Sequence, residues 1–404
     1  MKRTNRQLGP MTTAIHGGEK PDPATGASAP PIHMSSTFVS EDVAGFSAHD
    51  LDDTGEGFIY SRWGNPTVAM LEQKIAALQG TEDCLCLASG MAAATAIFLT
   101  FLSAGEHAVV SDVSYAGVAE LARETLPRLG IDVTTVDMSD LDAVAAAIRP
   151  TTRLVHTETP VNPIMRLTDL EAVSDLAHKA GALHSCDATF ASPIGMDPSA
   201  LGVDLVMHSI TKYIGGHGDA VGGAIAGRAD LIAGLRKEAA IHHGGVLSPF
   251  NAWLIARGAA TLPLRMKAHQ TGATEVARWL EAHPAVTRVM YPGLPSHPQH
   301  DLAARQMTNF SGMMSFQVGS AEHGRKLARR MIDRLRVVHY AVSLGHHRSL
   351  IFWMETGPLM ETSFRLKGAQ CASYKEFAGE GIFRLSVGLE DAEDLIADLE
   401  GALG

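Results

Sequence analysis

The chain has little that would staple or anchor it. Four cysteines occur in 404 residues, Cys84, Cys86, Cys186 and Cys371, with no CxxC pair and no zinc-type spacing. They are expected to be free thiols of a reducing compartment. No hydrophobic run reaches the length a bilayer demands. The longest weakly polar stretch, Ala88 to Leu102, is interrupted by Ser89 and Thr95 and reads as a buried helix. The basic opening Met1-Lys2-Arg3-Thr4-Asn5-Arg6 is not followed by an apolar segment, so a signal peptide is not expected and a cytoplasmic location is the default. Without such a signal, the sequon Asn309-Phe310-Ser311 is read as chance. Positive charge is in deficit: 33 Lys and Arg stand against 44 Asp and Glu, a net charge of −11, which disfavours a nucleic-acid partner. A Walker sequence is missing, and Gly216-His217-Gly218 followed by Gly222 misses the dinucleotide spacing by one residue. Internal repeats and low-complexity tracts are lacking too.

What is present is ordinary globular usage, 46% hydrophobic and 19% charged, enough for one or two domains. Residues up to about Arg62 are rich in Pro, Gly, Ser and Thr without a period, and read as an extended arm. Asn65-Pro66 then opens a helix, an N-cap followed by proline at the first helical position, with Val68, Leu71, Ile75 and Leu78 on one face and Gly80 as its stop. Strands are expected at His107–Ser111, Asp132–Val136, Leu154–Glu158, Ala182–Cys186 and Asp204–Met207, with helices between them. One helix is expected to begin at Thr168, with Glu171 completing a capping box, and to close at Gly181. This alternation implies a mostly parallel sheet covered on both faces, with ligands at the carboxyl ends of its strands. Past about Ala260 the tempo changes. A helix near Arg265–Ala282, a strand at Gly312–Val318, a basic helix at Glu322–Arg334, a strand at Ile382–Val387 and an acidic helix at Asp391–Leu403 read as a smaller α+β unit. The expected division is an arm over 1–64, a ligand-binding domain over 65–260 and a C-terminal domain over 261–404.

Chemistry concentrates between Asp187 and Lys212. Asp187 ends one apolar strand, and Lys212 lies just past the next in Ser209-Ile210-Thr211-Lys212-Tyr213. Neighbouring parallel strands lie ~4.8 Å apart, so their ends can hold an acid and an amine at opposite ends of one aromatic ring. Pyridoxal 5′-phosphate (PLP) uses that pair: a lysine for its aldehyde and a carboxylate for its pyridinium nitrogen. A solvated lysine after a strand is the commoner outcome of such spacing and stays open on this ground alone. Ser89-Gly90-Met91 precedes the apolar helical run Ala92–Leu102, and a helix N-terminus beside glycine suits a phosphate; a plain turn and cap is the alternative. Ser209 and Thr211 add hydroxyl donors.

Taken together, the chain resembles the Cys/Met-metabolism PLP-dependent enzymes. The resemblance is carried by Tyr60-Ser61-Arg62 with Asn65-Pro66-Thr67, Ala88-Ser89-Gly90-Met91, Glu158-Thr159-Pro160 with Asn162-Pro163, and His208-Ser209-Ile210-Thr211-Lys212-Tyr213. Leu247-Ser248-Pro249, Tyr291-Pro292-Gly293-Leu294, Val342-Ser343-Leu344-Gly345 and Arg384-Leu385-Ser386-Val387-Gly388 continue it, in family order, to the C-terminus. The resemblance implies a type I PLP-dependent transferase fold, with Lys212 holding the cofactor as a Schiff base and moving protons between Cα, Cβ and C4′. It implies Asp187 on the pyridinium, Tyr115 stacked on the ring and assisting the leaving group, and Gly90, Met91, Ser209 and Thr211 on the phosphate. Tyr60 and Arg62 would reach the phosphate of a neighbouring subunit, in a homotetramer built as a dimer of dimers with shared active sites. Arg384 would clamp the substrate carboxylate, helped by Ser343 and Asn162. The implied activity is γ-elimination from a sulfur- or oxygen-substituted amino acid. A γ-replacement transferase is the alternative, and a non-catalytic binding protein on the same fold is a reading of another class.

Several positions depart from the family pattern. Val342 stands where cystathionine-handling lyases carry glutamate, and Gly117 where methionine γ-lyases carry a reactive cysteine. Ala239-Ala240-Ile241-His242-His243 replaces a Lys-Asp pair, and Asp187-Ala188-Thr189 replaces Asp-Asn/Ser-Thr. His346-His347-Arg348-Ser349 and the run through Glu355 are also unlike the family. The pairs His242-His243 and His346-His347 lack companions at zinc spacing, which leaves substrate contact or loop and interface packing. Glu355 is a candidate reader of a basic distal group, which opens a minority reading as a canavanine γ-lyase.

Overall fold

The computed structural model describes residues 8–39 and 57–404. The basic opening Met1–Arg6, and residues 40–56 of the expected arm, lie outside the described residues. The described part of the arm is not wholly extended: Pro10–His16 is a helix, one too short for a hydrophobic period to show. It is tied down by the buried Lys74, whose Nζ donates to Ala14 O at 2.6 Å and pairs with Glu19 at 3.0 Å.

Twelve strands are described, in two sheets. The larger contains β1 (Asp83–Leu87), β2 (His107–Ser111), β3 (Asp132–Val136), β4 (Thr152–Glu158), β5 (Leu183–Asp187), β6 (Leu205–His208) and β7 (Gly223–Gly227), in the order β1-β7-β6-β5-β4-β2-β3. Its central pairs are parallel, and β7 alone runs against its neighbours. The mostly parallel sheet is the one expected from the strand and helix alternation. β1 and β7 were not anticipated. β7 is Gly-Ala-Ile-Ala-Gly, whose small residues carry little strand preference. They are required by close approach: a Cβ on Gly223 would lie 2.1 Å from Ser89 O.

The smaller sheet has β8 (Arg288–Met290), β9 (Met313–Gln317), β10 (His339–Tyr340), β11 (Leu350–Glu355) and β12 (Gly381–Ser386), in the order β10-β11-β12-β9-β8. β11, weighed above only as a departure from the family pattern, is a strand hydrogen-bonded on both sides.

Helix ends follow local chemistry. Asn65 caps the helix Pro66–Gln79 by accepting from Thr67 N at 2.9 Å, and Gly80 ends it at φ +75°. The expected cap at Thr168 is corrected to Asp169, which accepts from Ala172 N and starts the helix Leu170–Lys179; Thr168 N–H instead donates to Thr159 Oγ1.

The segment after Lys212 is held by one buried side chain. Arg265 donates to Tyr213 O at 2.7 Å, Ile214 O at 3.2 Å and Gly258 O at 2.8 Å. Burial lowers its pKa to about 10. Gly258 lets the helix Pro249–Ala259 press on Gly215, since a Cβ there would sit 2.0 Å from Gly215 O. An unpaired buried carbonyl costs about 1–3 kcal/mol. Arg265→Met is therefore expected to lower the unfolding free energy by about 3 kcal/mol or more in urea titrations; an unchanged midpoint would show that the clamp does not hold the segment.

Candidate active site

The carboxyl ends of the parallel strands open onto a cavity of about 530 Å³. Glu158 ends β4 and Asp187 ends β5, and the two are register partners. Both line the cavity and are almost fully buried. Asp187 Oδ1 accepts from Thr189 N at 2.9 Å and from Thr189 Oγ1 at 2.5 Å. Its Oδ2 accepts no hydrogen bond from the described residues. Burial pushes the Asp187 pKa up, against the pull of the two Thr189 bonds. Glu158 is raised well above the carboxylate range, by burial first and by the Asp187 charge second. Its two oxygens are spent on the backbone, accepting from Asn162 N at 2.7 Å and Tyr115 N at 2.6 Å.

Lys212 reaches the same cavity from the segment after β6. Its Nζ donates to Ser343 Oγ at 2.8 Å. Burial, and then the Arg384 charge, lower its pKa to about 8. Arg384 projects from β12, donating to Asn162 Oδ1 at 2.8 Å and to Ser343 O at 3.1 Å. Its own pKa is lowered to about 10 by burial, with Glu158 acting the other way. Tyr115 is half exposed at the rim. Gly117 leaves room for that ring: a Cβ there would come 2.9 Å from Met91 Sδ and 3.0 Å from Tyr115 Cε1.

The other end of the cavity is built for an anion. Ser89 caps the helix Gly90–Phe101 through Ala92 N. The first-turn N–H groups of Gly90 and Met91 have no intrahelical acceptor, and both residues line the cavity. Ser209 and Thr211 line it opposite, and a Cβ on Gly90 would lie 2.9 Å from Ser209 Cβ. Ser209 N donates to Thr189 Oγ1 at 2.8 Å, so one threonine links the Asp187 carboxylate to the anion end.

Not every candidate converges here. Tyr60 and Arg62 do not line this cavity; Arg62 Nη1 donates to Ile241 O, and its guanidinium lies over the Tyr60 ring at 5.5 Å. His242 pairs with Glu238 at 3.1 Å on the surface, and His243 is exposed. Glu355 points away: Phe352 and Met354 of β11 face the cavity, whereas Glu355 pairs with Arg325 at 2.6 Å on the opposite side. It is not placed to read a substrate. Glu158 and Thr189 stand in stretches compared with the family pattern, but the sequence reading gives neither a role. A carboxylate ending the strand beside that of Asp187 was the available signal for Glu158.

These residues fit PLP. A buried carboxylate with an open oxygen suits a ring N–H, an amine near neutrality suits an aldehyde, and helix-end N–H groups with flanking hydroxyls suit a phosphate. Fold and site together define a PLP-dependent enzyme of the type I fold. Residues 11–404 match the family described as Cys/Met metabolism PLP-dependent enzyme, and the chain belongs to it. The chain is 41% identical to a canavanine γ-lyase of Pseudomonas canavaninivorans, over all of this chain and 98% of that one. It is 43% identical to a cystathionine γ-synthase of Mycobacterium tuberculosis (100% and 99% covered) and 40% identical to an L-methionine γ-lyase of Fusobacterium nucleatum (98% and 98%). The crystal structure of metB from Corynebacterium glutamicum superposes with a TM-score of 0.87 at 37% identity, over 98% of each chain.

A solvated lysine titrates near 10.4, and a depressed pKa makes the amine reactive at lower pH. In cofactor-free protein, labelling of Lys212 by fluorodinitrobenzene is expected to rise through pH of about 8. Arg384→Met should move that inflection upward by removing a neighbouring positive charge. Labelling that follows the bulk lysines would contradict the described environment.

Proposed function

We propose that the protein is a γ-elimination lyase for an amino acid bearing sulfur or oxygen at Cγ. The observation that carries this reading is the wall beyond Arg384. Val342, Phe352, Met354, Leu359 and Phe364 make it apolar, and the charged lining residues among those described are Glu158, Asp187, Lys212 and Arg384. A γ-substituent therefore meets no spare counter-charge, which favours an uncharged leaving group such as the thioether of methionine.

In this reading Arg384 exchanges its bonds to Asn162 and Ser343 for a bidentate grip on the substrate carboxylate. Lys212, neutral at a pH not far above 7, takes the proton from Cα. Bound PLP supplies the electron sink that stabilises the charge left there. Lys212 next serves the Cβ proton, and the Tyr115 hydroxyl donates to the departing heteroatom. Asp187 holds the ring nitrogen, and Gly90, Met91, Ser209 and Thr211 hold the phosphate. Residues 65–260 form the cofactor-binding domain and 261–404 the domain that brings Arg384 to the substrate. Tyr60 and Arg62 serve the phosphate of a neighbouring copy in a homotetramer, a role consistent with their place outside their own chain's cavity.

Two further readings have support in similarity. The cystathionine γ-synthase relative favours γ-replacement, and the canavanine γ-lyase relative favours a guanidino-oxy substrate, although Glu355 is not available to bind it. Purified enzyme with methionine and no added thiol is expected to release 2-oxobutyrate and ammonia. Product formed from O-acetylhomoserine only when a thiol is added would replace this reading with the transferase. Homoserine formed from canavanine, with methionine inert, would replace it with the guanidino-oxy lyase. Lys212→Ala is expected to fold and to lack the visible absorption of bound cofactor; an unchanged band would reject the lysine assignment.

A further inference from the structure

Ser343 is held in a conformation that side chains rarely adopt, φ +96°. A strained backbone at a non-glycine residue persists only where its surroundings enforce it. Here the enforcement is visible. Gly345 N donates to Ser386 Oγ at 2.9 Å, and His347 N donates to Gly216 O at 3.0 Å. The result is a Ser343 hydroxyl set between two titratable groups, 2.8 Å from Lys212 Nζ and 3.2 Å from His346 Nε2. His346 is half buried and packs its ring on Gly218, where a Cβ would lie 2.7 Å from His346 Cε1.

We propose that His346 is a positioning residue that works through Ser343: it accepts the Ser343 hydroxyl proton, keeps the Lys212 lone pair free, and relays surplus protons from Lys212 to solvent. The idea rests on the assignment of Lys212 as the proton-transfer base made above. In the Nδ1–H tautomer, His346 Nε2 accepts from Ser343, whose oxygen in turn accepts from protonated Lys212. In one relay step Lys212 gives up an Nζ–H proton to Ser343 Oγ as the original Ser343 proton passes to Nε2. The imidazolium then gives its Nδ1 proton to water, and tautomer exchange through water returns Nε2 to its accepting form; no electrons change hands. Burial, and then the charges of Lys212, His347 and Arg348, hold the His346 pKa below its ordinary value, with Asp219 opposing. The ring is thus neutral and able to accept near pH 7. His217 is the other ionisable side chain on the adjoining loop, and its ring faces His347 at 5.7 Å.

Two measurements test the relay. L-norleucine has no γ-leaving group, so exchange of its Cα hydrogen in D₂O, followed by NMR on the cofactor-loaded enzyme, reads proton traffic at Lys212 alone. His346→Ala is expected to keep the visible spectrum of bound cofactor while exchange falls by about a hundredfold, and added imidazole should restore much of it. In cofactor-free protein at pH 9, His346→Ala should slow fluorodinitrobenzene labelling of Lys212 severalfold, because the freed Ser343 hydroxyl turns onto the lysine lone pair. Adding Ser343→Ala should remove that difference. Unimpaired exchange in His346→Ala, a loss that imidazole does not rescue, or unchanged labelling overturns the relay alone. A loaded wild-type enzyme that exchanges no norleucine overturns the lysine-base reading, and the relay with it.

Discussion

Four charges, Glu158, Asp187, Lys212 and Arg384, share one half-closed cavity, and burial works against each of them. Their mutual placement decides which stay charged. Glu158 and Asp187 end adjacent strands as register partners; burial pushes both carboxyls up, and the Asp187 charge raises Glu158 further. Glu158 answers with two backbone N–H bonds, and Asp187 with two bonds from Thr189. Lys212 and Arg384 are depressed by the same burial, and Arg384 lowers Lys212 further. The fold thereby supplies an amine whose pKa lies well below that of a solvated lysine, beside an arginine that remains a cation.

Close backbone approach makes that placement possible. Gly223 lets β7 pass beside Ser89, Gly90 lies against Ser209, and Gly258 lets a helix press on Gly215. Each contact brings together segments more than forty residues apart in sequence, and Arg265 closes the segment behind Lys212 by bonding Tyr213 and Ile214, 52 and 51 residues before it, as well as the nearby Gly258. The anion end and the acid are in this way fixed by main chain and by small side chains such as Thr189, and the segment after the amine by the buried Arg265. Such scaffolding suits a site in which small displacements are costly.

The central parallel strands were legible because they are short apolar runs between capped helices, and the Asn65-Pro66 start and Gly80 stop carried their own chemistry. β7 was not legible, because its Gly and Ala residues answer to tertiary contact rather than to strand preference. The cap at Asp169 was misread by one residue, because Thr168 and Asp169 are both good caps and only the backbone conformation decides between them. Glu355 illustrates a deeper limit. Along a strand the side chains alternate, and one step in register separates a residue facing the cavity, such as Met354, from one paired with Arg325 outside it.

From sequence alone came the fold class, the cofactor and the lysine–aspartate pair, because these depend on residue types at strand ends and on motifs whose order is preserved along the chain. Only the tertiary structure decided that Glu158 braces Tyr115 and Asn162, that Glu355 leaves the site, and that Ser343 joins Lys212 to His346. Those outcomes depend on the meeting of two sheets whose strands come from separate stretches of chain, and no local pattern encodes the distance between Lys212 and a serine 131 residues further on.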